Sequence, residues 1–229
     1  MISVVIPTYN EADSLSLTLR QARERDRGGL VEQWIVADGG SSDATCALAE
    51  AEGATVVHCP TRGRAPQLNQ GAAAATAPWL YFLHADTLPP QDFSSWIQAA
   101  VGEGYEAGCF RLSFDRRHPF LEACCWFTRF DIDLVRFGDQ SLYLTRACFA
   151  AAGGFDERLA LLEDQEIVSR LRRHTRFRVL PASVVTSGRK YWQYGVYRTQ
   201  VSFALILTLY HLGVAPHRLA ELYRRCFPR

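Results

Sequence analysis

Three carboxylates stand where apolar, strand-like runs stop. Ile2-Ser3-Val4-Val5-Ile6-Pro7-Thr8-Tyr9-Asn10 leads to Glu11, Trp34-Ile35-Val36-Ala37 to Asp38, and Trp79-Leu80-Tyr81-Phe82-Leu83-His84-Ala85 to Asp86. If these strands lie parallel, their C-terminal ends share one sheet edge, and open α/β sheets bind ligands at that edge. Three acids around one crevice suit a metal-bridged, phosphate-bearing ligand. Pro7 to Glu11 occupies the turn where a glycine-rich phosphate loop would stand. The chain has no GxGxxG after its first strand and no GxxxxGK[ST], which argues against a dinucleotide site and a P-loop. Tyr9 can instead stack on a planar base, Asn10 and Glu11 offer polar groups to a base or ribose, and Asp38 can accept a hydrogen bond from a pyrimidine imide.

The elements that position these residues read as alternating strands and helices. Leu15, Leu19 and Ala22 fall on one helical face after the first strand, and the pattern ends near Gly28-Gly29. Ser41 or Ser42 can cap a helix carrying Ala44, Leu48 and Ala51, with Gly53 as its stop. Thr55–His58 is a short strand, Pro66 to Ala77 an alanine-rich helix, and Trp79 starts the next strand. Such spacing predicts a mostly parallel βαβ sheet with helices on both faces. Further on, Phe93–Val101 reads as a helix, 108–114 and 141–144 as strands, and Glu163-Asp164 as a helix start. From Tyr191 to Leu212 the pattern is one long helix, followed after Gly213–Pro216 by a second from His217 to Cys226. The expected division is a domain over 1–188 and a basic, amphipathic helical extension over 189–229.

At 229 residues the chain can bury a sizeable core. No charged-then-apolar leader opens it, and the longest apolar run, Val201 to Val214, is short for a bilayer span, so the expected location is cytoplasmic. Its seven cysteines include no CxxC pair, which suggests neither a disulfide framework nor a zinc site. The net charge of +1 conceals a polarity: residues 170–229 carry +11 and the preceding residues −10. An anionic partner for the C-terminal part follows, with diphosphate and anionic lipid preferred over nucleic acid.

Six motifs in order give the chain a specific likeness. Pro7-x-Tyr9-Asn10-Glu11, Asp38 in Val-Ala-Asp-Gly-Gly-Ser-Ser-Asp, Arg62-Gly63-Arg64 with Asn69-x-Gly71, His84-Ala85-Asp86, Gly153-Gly154-Phe155-Asp156 and Glu163-Asp164 together resemble the inverting family 2 glycosyltransferases of the GT-A fold. Leu83-His84-Ala85-Asp86-Thr87 and the basic C-terminus are similar to a bacterial subgroup of that family. The resemblance covers about residues 1 to 180. It implies a nucleotide-diphosphate sugar donor, an acceptor hydroxyl, and a divalent cation, Mg²⁺ or Mn²⁺.

On that resemblance Asp86 is the metal ligand, because a hard cation can neutralise a leaving diphosphate while taking only one or two protein carboxylates. Arg62 and Arg64 could add charge-assisted bonds to the same diphosphate. Family members commonly carry Asp-x-Asp where this chain has His84-Ala85-Asp86, so His84 could be a ligand, bond the ribose or phosphate, or shape the loop. Asp164 matches the position of the general base, with Glu163 orienting it or the acceptor. Gly138-Asp139-Gln140 falls on the acceptor side. The QxxRW motif of processive members is missing, so one transfer per encounter is expected.

Two other readings compete. A sugar nucleotidylyltransferase shares the sheet and a metal-bound diphosphate, but would carry a basic, glycine-rich loop after its first strand. A non-catalytic membrane-surface protein on the same scaffold is favoured by His84 and opposed by Asp38, Asp86 and Glu163-Asp164. The C-terminal pattern, with Tyr191, Tyr194, Val201, Leu205, Leu209 and Leu212 flanked by arginines, suits a helix lying on an anionic membrane near a lipid-linked acceptor. The same face could pack on the catalytic domain or form a homodimer.

Overall fold

The structure is a computed structural model that describes residues 1–132 and 138–228. Its first half alternates as expected: β1 (Ile2–Thr8), α1 (Ala12–Glu24), β2 (Val31–Asp38), α2 (Thr45–Ala51), β3 (Thr55–His58), α3 (Arg64–Ala74) and β4 (Trp79–Phe82). Then come β5 (Thr87–Leu88), α4 (Phe93–Gly102), β6 (Ala107–Phe114), α5 (Pro119–Phe127), a 3-10 turn (Gly138–Gln140), β7 (Leu142–Thr145) and α6 (Arg146–Ala151). The chain continues through α7 (Glu163–Leu171), β8 (Phe177–Thr186), α8 (Arg189–Tyr194), α9 (Val196–His211) and α10 (Pro216–Cys226).

The strands form one sheet in the order β3-β2-β1-β4-β7-β6-β8-β5. From β3 to β4 all neighbours are parallel, and Thr8 lies opposite Asp38 while Val5 lies opposite Phe82. Beyond β4 the sheet is mixed: β7 runs antiparallel to both β4 and β6, whereas β6 and β8 are parallel. A central parallel strand is covered on both faces, which is why β1 is a continuous apolar run. Val4 and Ile6 pack toward Leu15, Leu19 and Ala22 of α1. Val5 points the other way, into Leu68 and Ala72 of α3 and Ile167 and Leu171 of α7. Each fully buried leucine contributes about 1.5–3 kcal/mol, so these apolar faces, more than helix propensity, hold α1 and α3 on the sheet.

Several local expectations require correction. Neither Ser41 nor Ser42 caps α2: the helix begins at Thr45, whose N–H donates to Asp43 Oδ1 at 3.0 Å. Its buried face is Thr45 and Ala49, with Ala44 and Ala51 exposed. β8 escaped the sequence pattern because Pro181-Ala182 interrupts it; the β6 partner steps from Leu180 to Ser183 between Phe110 and Arg111, a bulge that accommodates a residue without an N–H. α5 also escaped, although Pro119 at its first turn is a usual helix opening. The single helix expected from Tyr191 to Leu212 breaks at Gly195, whose φ of +88° lies outside helical space. That break resets the helical phase. Thr199 and Ile206 are the buried side of α9, while Val201, Leu205 and Leu212 are 67%, 45% and 74% exposed.

Gly71 shows how closely α3 sits on the sheet. A Cβ there would lie 2.3 Å from Val5 Cγ1. Alanine is favoured over glycine by about 1 kcal/mol in a helix interior, but overpacking a core costs about 1–3 kcal/mol. The clash should dominate. Gly71→Ala is therefore expected to lower the urea midpoint with an unchanged m value; an equal or higher midpoint would show that α3 can lift from β1 without loss.

Candidate active site

The β1–α1 loop is stitched to the β2–α2 loop. Asn10, at a left-handed φ of +53°, donates its N–H to Ser41 Oγ and accepts from the Ser42 N–H through Oδ1, both at 2.8 Å. Glu11 N–H donates to Thr45 Oγ1 at 2.9 Å. Asp38 anchors the arrangement: Oδ2 accepts from Gly40 N–H and Ser41 N–H at 2.9 Å, and Oδ1 accepts from the Thr8 and Ser41 hydroxyls. Burial by itself would raise the Asp38 pKa, but donors from Ser41, Gly40 and Cys46 outweigh it and hold the carboxyl below its ordinary value. The side chains of Asn10 and Asp38 thus shape the loop that presents Tyr9.

Asp38, Cys46 and His58 also place potential ligand atoms within 4.8 Å of one another. This trio does not suit a cation. The carboxylate oxygens of Asp38 already accept two hydrogen bonds each, which leaves them no free lone pair for an ion.

A cleft of about 700 Å³ opens in front of this loop, at the C-terminal edge of β1 and β4. Pro7, Tyr9, Glu11, Arg62, Arg64, His84, Asp86 and Asp139 all line it. The Arg62 guanidinium lies over the Tyr9 ring, 3.4 Å from its centre, so ring and cation are presented together. At the start of α7, Glu163 is buried, with Oε1 3.6 Å from Arg64 Nη1 and no hydrogen-bond partner among the described residues. Asp164 Oδ2 lies 3.8 Å from His84 Nε2. His84 therefore stands next to the acid expected to act as base.

Burial, followed by the nearby Glu163 and Asp139 carboxylates, raises the Asp164 pKa well above its ordinary value, against the pull of Arg64. Asp86 is raised as well, by burial first and then by Asp139 and Glu11; His84 and Arg64 oppose the shift. Its carboxylate has one hydrogen-bond partner among the described residues, the Thr87 hydroxyl at 3.5 Å. A half-buried carboxylate with like-charged oxygen neighbours and so few donors fits a hard divalent cation. Asp86, with Asp139 and Glu11 nearby, is the set that would hold it.

Of the 138–140 turn, Asp139 faces the cleft, whereas Gln140 is 2% exposed. Gln140 donates through Nε2 to Phe110 O at 3.0 Å and Thr128 O at 3.4 Å, tying the turn to β6. Gln67 was missed from sequence. Its Nε2 donates to Thr8 O at 2.6 Å and Ala37 O at 2.7 Å, and Oε1 accepts from Gly63 N–H at 3.3 Å. It ties two strand ends to the arginine loop. Also missed as cleft residues were Arg189, Lys190, Tyr191 and Tyr194, because their segment read as an outward membrane face.

Residues 3–133 match the sequence profile of Glycosyl transferase family 2. The match spans more than half of the chain, and the chain belongs to this family. Over 175 residues it is 27% identical to a PGL/p-HBAD biosynthesis glycosyltransferase of Mycobacterium tuberculosis, covering 72% of this chain and 66% of that protein. The chain therefore spans just under two thirds of that relative. Among solved structures it is similar to a mannosyltransferase from Pyrobaculum calidifontis in complex with GDP-Man and Mn²⁺, with a TM-score of 0.71, 19% identity, and coverage of 99% and 69% of the two chains. It is also similar to glucosyl-3-phosphoglycerate synthase from Mycobacterium tuberculosis in complex with Mn²⁺, UDP and glucosyl-3-phosphoglycerate, with a TM-score of 0.63, 19% identity, and coverage of 99% and 79%. At such identities the likeness is one of fold, and the fold is GT-A.

The raised Asp164 pKa carries a stability consequence. Below the unfolded value of about 3.9 the group is protonated in both states and contributes nothing. Between that value and the higher folded one the unfolded chain releases the proton while the folded protein keeps it, so stability falls with rising pH and the full cost remains above the folded value. Asp164→Asn should accordingly raise the Tm of the metal-free protein at pH 8, with the gain fading toward pH 4. A lower Tm at pH 8 would mean that the ionised carboxylate is a net structural contact.

Proposed function

We propose that this protein is an inverting, non-processive glycosyltransferase that moves a sugar from a nucleotide-diphosphate donor to an acceptor hydroxyl. The observation that carries this reading is that, in a family 2 chain, Asp86 and His84 line one cleft and His84 Nε2 lies 3.8 Å from Asp164 Oδ2, with the pKa of both acids raised and Arg64 pulling against the rise. Tyr9 offers a stacking surface for the base, and Arg62 and Arg64 offer charge to the diphosphate. Asp86, with Asp139 and Glu11 beside it, would hold Mg²⁺ or Mn²⁺; bound there, such an ion supplies positive charge to the departing diphosphate. Structures of similar fold carry Mn²⁺ with GDP-Man or UDP, which supports this assignment.

In the proposed transfer the acceptor oxygen bonds to the anomeric carbon as the carbon–oxygen bond to the diphosphate breaks. The electron pair of that bond leaves with the nucleoside diphosphate, and the hydroxyl proton passes to Asp164. His84 and Arg64 position Asp164 and Glu163 respectively. A base with a raised pKa retains a stronger drive to accept a proton near neutral pH. Activity should consequently fall on the acid side at a pH above the ordinary carboxylate range.

The outer face of α9 supports a peripheral membrane role. Tyr197, Val201, Leu205 and Leu212 recur on its exposed side, and Arg198, Arg218, Arg224 and Arg225 are exposed around it. Among the described residues no helix is long and apolar enough to cross a membrane. A basic, apolar face of this kind can rest on an anionic leaflet, bringing the cleft to a lipid-linked acceptor.

Three outcomes are expected. Asp86→Ala should abolish Mn²⁺-dependent binding of UDP or GDP in calorimetry with little change in Tm; retained metal-dependent binding would remove Asp86 from the metal site. Asp164→Asn should preserve donor affinity while lowering turnover by on the order of 10²-fold or more, the usual scale for a positioned base; unchanged turnover would end its assignment. The protein should co-sediment with anionic vesicles at low salt and be released at high salt, where the Debye length shrinks. No binding at low salt would assign the α9 face to a contact between copies of the chain.

A further inference from the structure

Two cations of the cleft have no part in the transfer as drawn above. Arg189 and Lys190 follow directly on β8 and line the same cavity as Asp86 and Asp139. Neither forms an ion pair with a described carboxylate, in contrast to Arg64, which faces Glu163. Lys190 is held in a cage of rings: its Nζ lies 5.0 Å from the centre of Tyr223, 5.6 Å from Phe227 and 5.7 Å from Phe203. It donates one hydrogen bond, to the Tyr223 hydroxyl, and its other two donors have no acceptor among the described residues. The π faces fix the ammonium and temper its charge without neutralising it.

A donor diphosphate makes small demands on this pair. It carries two negative charges, which one divalent cation equals, and Arg62 stands in the same cleft to support it. An uncharged acceptor filling the cleft would strip water from Arg189 and Lys190 and return nothing, which is costly for any charge left unpaired. We propose that Arg189 and Lys190 form an anion subsite for the acceptor, which therefore carries a phosphate or carboxylate near the hydroxyl that receives the sugar. This inference rests on the glycosyltransferase reading and names its substrate class. The anion can belong to a free metabolite or to a lipid headgroup, since both present the same chemistry to the two side chains.

The test is a thermal-shift titration at constant ionic strength, with and without saturating UDP or GDP and Mg²⁺. The probes are glycerol 3-phosphate, glycerate, dihexanoyl phosphatidylglycerol and, as the neutral control, glycerol. At least one anionic probe should raise the Tm and glycerol should not, because only a ligand of the native state stabilises it. Arg189→Gln and Lys190→Gln should each weaken that response at least tenfold while keeping the nucleotide-dependent shift. Arg189 is exposed, so its variant folds even if opening the ring cage harms the other. A larger response to the lipid probe assigns a lipid-borne anion, and a larger response to the soluble probes a free one. Equal responses to glycerol and the anions, or responses unchanged in both variants, overturn the proposal. So does loss of the nucleotide shift in Arg189→Gln, which would place the pair on the diphosphate. A wild type that shifts with neither nucleotide would instead defeat the transferase reading, and the nucleotide-free titration would still decide the anion subsite.

Discussion

Everything at the cleft depends on β1 being paired in parallel on both sides. With Thr8 opposite Asp38 and Val5 opposite Phe82, the chain leaves three strands at nearly one level and must turn there each time. Strand ends are poor in hydrogen-bond partners, and a buried unpaired backbone group is costly. Gln67 and Asp38 meet that requirement from opposite sides, one donating to the carbonyls of Thr8 and Ala37, the other accepting from Gly40 and Ser41. These two buried side chains complete the sheet edge and tie to it the segments carrying Tyr9, Arg62 and Arg64. Positioning a site on such an edge, rather than on free loops, is what keeps several groups in fixed relation.

The carboxylates show the opposite economy of forces. Asp139 and Glu11 lie close enough to disturb Asp86, and Glu163 and Asp139 to disturb Asp164, with burial adding to the repulsion. A sequence selected only for folding would avoid this arrangement, because unmatched buried charge destabilises. The repulsion is relieved in part by Arg64 and His84, and the proposed cation and proton-accepting role would use the remainder. Perturbed acids gathered in one cleft are a recognised mark of function. Here the stability cost falls on the groups to which the proposed chemistry is assigned.

The C-terminal helices serve two sides at once. On α9, Phe203 contributes to the ring cluster around Lys190, while Val201 and Leu205 face outward. The break at Gly195 makes this possible by turning α9 independently of α8, so that Tyr191 packs edge-on against Phe114 of the sheet at 5.0 Å and Arg189 and Lys190 border the cleft. An extension that reads as a separate amphipathic appendage is in this way also a wall of the site.

Local patterns in the sequence were enough to identify the strands β1 to β4, the helices between them, and the acids at their ends, because apolar periodicity and a terminal acid are properties of a few consecutive residues. Of the cleft residues, Glu11 and Asp86 were legible for the same reason, whereas Arg62, Arg64 and Asp139 were picked out by the family resemblance. The tertiary structure alone decided which of these side chains are available. Asn10 and Asp38 are engaged in loop contacts with residues about thirty positions away, and Gln140 turns inward to β6. It also decided that β7 runs antiparallel, that Pro181 sits in a bulge of β8, and that Gly195 resets the last helices. No local pattern encodes such outcomes, since each depends on a partner distant in sequence. The pairing of His84 with Asp164, eighty residues apart, is of the same kind: residue types announce the chemistry, and only packing in three dimensions brings the partners within reach.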